Sequence, residues 1–205
     1  MSWYSEHVLP HVVNITCGGR AMVPVRKPAL AGLRGVVVEV GFGTGPNIGL
    51  YPPEVERVLA VEPSARAQEM AQKRMSMMSH PPIEFVGLDG ASLPLASESA
   101  DAVLSTFTLC TIPDIDAAMA EIVRVLKPGG ALQFVEHGWS EDPKVQARQR
   151  RFEPIQKRIG GGCHLTRDSA EIAERAGLKV EKVDRFVLRG PKILTTMSCG
   201  RAVRP

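Results

Sequence analysis

The feature that most constrains this chain is a glycine-rich turn, Gly41-Phe42-Gly43-Thr44-Gly45-Pro46, set directly after the apolar run Val36-Val37-Val38-Glu39-Val40. Such a run reads as a strand buried on both faces, the situation of a parallel sheet covered by helices on each side. Glycines at its end let the backbone turn sharply and let a ligand lie against it without Cβ clashes. GxG alone is a weak signal, because any tight turn uses it. Its position narrows the choice, since ligands of open α/β sheets sit beyond the carboxyl ends of the strands.

The rest of the chain keeps the same rhythm. Further strands are expected at 57–61, 83–86, 101–107 and 131–136. A helix capped by Ser64 runs to about residue 78. A second, capped by Asp114, carries Ile115, Met119, Ile122, Val123 and Leu126 at helical spacing and ends at Lys127-Pro128-Gly129-Gly130. A third covers about 168–176, after Thr166, and closes at Gly177. Stretches 179–188 and 195–203 pair as an antiparallel hairpin at one sheet edge. The expected fold is therefore α/β, a doubly wound, mostly parallel seven-stranded sheet in one domain, 1–205. Residues 36–138 form its ligand-binding core. Residues 1–35, a short helix at 5–16 and a proline-containing connector, are expected to close over the ligand as a lid. Residues 139–205 supply a polar insertion at 139–162 and the last strands.

Charge chemistry selects the ligand. A dinucleotide fingerprint reads GxGxxG, but here the sixth position is Pro46 and the third glycine comes early, at Gly45. Glu39, two residues before the first glycine, would repel a pyrophosphate and suits a cationic amine or sulfonium. That favours S-adenosylmethionine over NAD, with S-adenosylhomocysteine as product. Glu62, at the tip of the next strand, is placed to accept both ribose hydroxyls, and Asp89, after the third, to accept from the adenine amino group. Neighbouring Phe42, Asn47, Pro63, Gly90, Ala91 and Thr106 complete the expected site with Gly41, Gly43 and Gly45.

Composition removes other classes. A net charge of +3 and 5% aromatic residues argue against nucleic-acid binding. No window approaches the roughly 20 apolar residues of a membrane span, and no secretory leader is visible. Cys17, Cys110, Cys163 and Cys199 are widely scattered, without a zinc-type CxxC pair or a disulfide framework, so no metal site is expected and a reducing cytoplasm fits. Cys110 reads as a lone packing cysteine. The basic run 148–151, with Lys144, Lys157 and Arg158, reads as a solvated helix face, with contact to an anionic substrate or membrane surface as the alternative.

With EVGFGTG, AVEP, GLDG, DAVLSTFTLC and RVLKPGG in order, residues 30–140 resemble class I methyltransferases of the ubiquinone/menaquinone-biosynthesis type. GTGPNIGLYPP (43–53), TLCTIPD (108–114), FVEHG (134–138) and GGCHLTRD (161–168) look like the thiol methyltransferase-like group. The resemblance implies methyl transfer to a small-molecule acceptor, with thiols ahead of amines, hydroxyls and lipid headgroups. A non-catalytic donor-binding protein and an NAD-dependent oxidoreductase are the competing readings. The chain is expected to depart from the group in lacking an N-terminal membrane-anchoring segment and in the polarity of 139–162, and on this reading both departures weigh against a membrane-bound, lipophilic acceptor. Methyl transfer from a sulfonium needs alignment more than acid–base chemistry. His137, at the end of the fifth strand, is the expected base or hydrogen-bonding group for the acceptor, and His164 a second candidate.

Overall fold

The computed structural model describes residues 8–87 and 89–205, so the first residues of the expected 5–16 helix lie outside it. In chain order it contains α1 (Leu9–Thr16), a 3-10 turn (Arg20–Met22), α2 (Val23–Leu30), β1 (Gly35–Val40), β2 (Val55–Val61), α3 (Ala65–Met75), β3 (Ile83–Gly87) and β4 (Ala100–Thr106). After these come α4 (Ile115–Val125), β5 (Leu126–His137), α5 (Pro143–Ile159), α6 (Ser169–Arg175), β6 (Lys179–Val187), a single turn α7 (Lys192–Thr195) and β7 (Thr196–Val203). The strands form one sheet in the order β3-β2-β1-β4-β5-β7-β6. β1 to β5 pair in parallel, while β7 runs antiparallel between β5 and β6. The strand order reverses between β1 and β4, where open sheets of this kind leave their ligand crevice.

The strand pleat divides the core into two layers. Val38 and Val40 of β1 face α4 and α6 through Met119, Ile122 and Ile172. Val37 faces α2 and α3 through Leu30 and Ala71. Glu39 therefore shares the α2 face, and this parity decides which charge it meets.

Two expectations need correction and one is sharpened. The proline-containing connector is helical, as α2: Pro24 occupies the first turn, where its missing N–H costs nothing, and Pro28 forgoes one bond while Ala29 and Leu30 bury completely. The helix face expected at 148–151 is sharpened: most of the polar insertion at 139–162 is the 17-residue helix α5, capped by Asp142, whose side chain accepts from Lys144 N–H at 2.8 Å. Its buried residues, Val145 and Gln149, are one turn apart, too sparse an apolar stripe to show as periodicity. Finally, Lys127-Pro-Gly-Gly130 does not separate helix from strand. Leu126 already pairs with Ala100 and the next pair is Ala102 with Ala131, so the four residues loop out of β5 as a bulge. No helix among the described residues is long and apolar enough to cross a membrane.

Candidate active site

A cavity of about 440 Å³ opens beyond the carboxyl ends of β1, β2 and β4, within the usual range for small-molecule sites. Its floor is the glycine turn. Gly41 has φ +74°, and a Cβ there would stand 2.1 Å from Thr108 Oγ1, so the turn and the loop after β4 touch with no side chain between them. Glu62 lines one end. Its two carboxylate oxygens accept from Gly43 N–H at 2.7 Å and Ser64 N–H at 2.9 Å, and burial raises its pKa against those two bonds. Each oxygen keeps acceptor capacity for a further donor. Asp89 and Gly90 line the same end, with Asp89 Oδ1 accepting from Ala91 N–H at 2.8 Å. Residues 41–54 form successive turns without a helix, so the glycine turn lacks the helix N-terminus on which a pyrophosphate sits.

Below the turn lies a buried polar network absent from the sequence reading. Arg26 of α2, 3% exposed, bonds the Cys17 carbonyl through Nε (3.1 Å) and Nη2 (2.9 Å), and Asn47 Oδ1 (3.1 Å) and Thr106 Oγ1 (2.6 Å) through Nη1. Those bonds hold the guanidinium on the cavity wall, 4.8 Å above the Phe107 ring. Glu39 accepts from Asn47 Nδ2 at 2.8 Å and from the Tyr51 hydroxyl in a very short bond. Burial pushes the Glu39 carboxyl up to about 7, against the pull of Tyr51, Asn47 and Arg26. α1 closes the side of the cavity with Pro10 and Val13, and Asn14 Oδ1 accepts from Thr44 Oγ1 at 2.7 Å and from Arg74 at 3.0 Å.

The opposite end is lined by Phe107, Thr108, Thr111, Pro113, Gly160 and Gly161, while Ile112 reaches the Asp89 end, its Cδ1 3.7 Å from a Cβ built at Gly90. Phe107 has φ +60°, a strained value for a bulky residue. Glu136, fully buried, accepts from Ser105 Oγ (2.8 Å), Thr108 N–H (2.9 Å) and Cys110 N–H (3.4 Å), which ties down the loop after β4. Its pKa is raised by burial, and these donors pull the other way. Cys110 is not a lone cysteine: its sulfur lies 3.5 Å from that of Cys163, whose sulfur is 3.7 Å from His137 Nδ1. Cys163 is held down to about 5 by the hydrogen bonds of Cys110 and His137, while Cys110 is pushed well up by its hydrogen bond to the Cys163 sulfur and by burial.

Of the residues singled out from sequence, Gly41, Phe42, Gly43, Glu62, Pro63, Asp89, Gly90 and Thr106 border the cavity. The Phe42 ring itself is buried edge-on against Phe85 at 5.5 Å. Gly45 and Ala91 do not border the cavity, and Glu39 and Asn47 stand behind its wall in the Arg26 network. His137 is also behind it, its ring edge-on to Phe107 at 5.6 Å. His164 is turned away to Glu153 at 3.0 Å. Arg26, Tyr51 and Phe107 were missed, and no local pattern marks them.

A methyltransferase-domain family matches residues 38–134. The thiol S-methyltransferase TMT1B of Rattus norvegicus is 40% identical over 144 residues, 68% of this chain and 58% of that protein. TMT1B of Mus musculus is 34% identical over 177 residues, 82% of this chain and 70% of its own length. The chain thus spans about three fifths of the rat relative. Among solved structures, phosphoethanolamine N-methyltransferase 2 of Haemonchus contortus superposes with a TM-score of 0.71 at 14% identity, over 96% of this chain and 57% of that one. That likeness is one of fold alone and does not choose an acceptor.

Proposed function

From the premise that this chain belongs to the class I S-adenosylmethionine-dependent methyltransferases, in the family of the thiol S-methyltransferases TMT1A and TMT1B, we propose that it methylates the sulfur of a small thiol. The site fits the donor on its own terms. Glu62 offers a two-oxygen acceptor for the ribose hydroxyl pair, Asp89 an acceptor at the adenine end, and Gly43 an open position, with no atom closer than 4.0 Å to a Cβ built there. Arg26, the buried cation on the wall, suits the donor's carboxylate, and Phe42, Asn47, Pro63, Gly90, Ala91 and Thr106 shape or brace the same end. When bound, S-adenosylmethionine supplies a methyl group on a positively charged sulfur that leaves as a neutral thioether.

The observation that carries the thiol reading is the acceptor end. The carboxylates that border the cavity, Glu62 and Asp89, are both at the donor end. Glu136 is buried and spent on backbone N–H groups. An amine acceptor would want a carboxylate for its cation and a phenol would want a base, whereas a thiol with pKa near 8.5 already has a reactive fraction of thiolate near neutral pH. The chain's own residues then have four tasks. Arg26 holds the donor's carboxylate, Glu62 its ribose, Phe107 excludes water from the acceptor, and Thr108 against Gly41 sets the approach. One bond forms, from acceptor sulfur to methyl carbon, as the carbon–sulfonium bond breaks, and the thiol proton passes to solvent. Four free cysteines suit a reducing compartment such as the cytoplasm.

The test is acceptor-dependent release of S-adenosylhomocysteine across matched thiols, amines, phenols and a phosphoethanolamine headgroup. Turnover with apolar thiols and little with the others is expected. Tight donor binding with turnover confined to amines, phenols or the headgroup would overturn the thiol reading.

A further inference from the structure

Behind the acceptor end, three soft ligands converge from distant parts of the chain. Cys110 follows β4, His137 ends β5 and Cys163 follows α5, and one ligand atom from each lies within 4.8 Å of the other two. The sulfur–sulfur distance is 3.5 Å, and Cys163 Sγ to His137 Nδ1 is 3.7 Å. In a tetrahedral zinc site, with Zn–S near 2.3 Å and Zn–N near 2.0–2.1 Å, the corresponding edges are about 3.8 and 3.6 Å. These two edges are within about 0.3 Å of those corners, and the third, Cys110 to His137, lies within 4.8 Å.

The surroundings hold this arrangement. His164 N–H bonds the Cys110 carbonyl at 2.8 Å, which joins the two cysteine loops. Leu165, Phe152 and Leu194 pack around the sulfurs, and Phe107 meets the imidazole edge-on. Two thiolates and an imidazole select a zinc-type ion over the hard cations. Three protein ligands with an open fourth position present an ion to a substrate, where closed structural sites take four. The cavity wall adjoins all three: Thr111 follows Cys110, Gly160 and Gly161 precede Cys163, and Phe107 touches His137.

We propose that Cys110, His137 and Cys163 bind a zinc ion through Sγ, Nδ1 and Sγ, and that its fourth position takes the sulfur of the acceptor. The second half rests on the thiol reading above. On coordination a zinc–sulfur bond forms and the thiol's proton leaves to solvent, which raises the thiolate population without a protein base while a sulfur lone pair stays available to the methyl carbon. This gives the sulfur cluster a use that neither its spacing in sequence nor packing alone provides.

Cobalt(II) titration of the phosphine-reduced protein tests this independently of turnover. The expected result is one equivalent bound with thiolate-to-cobalt charge-transfer absorption and tetrahedral d–d bands, both displaced by zinc. Cys110→Ser and Cys163→Ser lose that absorption, Cys199→Ser retains it, and melting curves confirm that each variant is folded. Adding a small apolar thiol without donor shifts the d–d bands. Absence of cobalt–thiolate absorption in folded, reduced protein overturns the metal site. Bands indifferent to added thiol overturn the fourth-ligand role, whether or not thiols are methylated. Methylation of thiols with no cobalt bound leaves the proposed function standing and removes this inference.

Discussion

The two ends of the cavity are built in different ways. The donor end is set by strand ends: Gly41, Gly43, Glu62 and Asp89 each follow a strand by one to a few residues, and the two carboxylates accept from backbone N–H groups of the neighbouring turns. The acceptor end is assembled from afar, with Cys110 meeting Cys163 across 53 residues and Glu136 reaching Ser105 across 31. Arg26 crosses the divide, bonding Thr106 from 80 residues away while resting on Phe107. The difference teaches that cofactor binding belongs to strand ends, while acceptor choice belongs to the packing of loops and helices around them. The matched family region, 38–134, contains Gly41, Gly43, Glu62 and Asp89 of the first, and omits His137 and Cys163 of the second and Arg26, which serves both.

Breaking the seam between the ends should have the largest effect. Gly41→Val combines a left-handed φ with a clash against Thr108, and is expected to cost about 3 kcal/mol or more of stability by denaturant titration. Gly41→Ala is milder, and adding Thr108→Ala should recover part of its loss. Additivity of those two changes would mean that the seam is not a contact.

Next in size is Arg26→Met, which removes the group common to both ends. Donor affinity measured by calorimetry should fall by about 1.5–3 kcal/mol, the range for hydrogen bonds to charged groups. A change in acceptor KM with donor affinity intact would move Arg26 wholly to the acceptor side. Glu62→Ala should weaken donor binding by about 1–3 kcal/mol without altering the order of preference among acceptors. Unchanged affinity would remove Glu62 from the donor end.

The smallest effect on donor binding at neutral pH is expected from Glu39→Gln, since this carboxyl is about half protonated there. Its signature is in pH dependence. The folded pKa is raised by burial, so the contribution to stability is full below the ordinary carboxylate range, near 4.5, and is lost as pH rises through about 7. Melting temperatures of the parent should decline across that window relative to the glutamine variant. Parallel curves would show that Glu39 titrates normally.

The same division explains what the amino-acid pattern revealed. β1 and its glycine turn, the Ser64 and Asp114 caps and the terminal hairpin are readable because each depends on residues within a few positions. Glu62 and Asp89 stand out for the same reason, as acids at successive strand ends. Arg26 is hidden in a proline-containing stretch because its partners are chosen by the α2–sheet packing. Cys110 looks solitary until the turn after α5 brings Cys163 against it. α5 shows in the sequence only as a basic, solvated helix face without bounds, because a mostly solvated helix needs few apolar positions.

The most direct measurement is mass-spectrometric location of the methyl group after reaction with isotope-labelled S-adenosylmethionine and a molecule bearing a thiol, an amine and a phenol. Label on sulfur alone, with one S-adenosylhomocysteine formed per methyl transferred, is the predicted result. Label on nitrogen or oxygen with the thiol untouched would contradict the account.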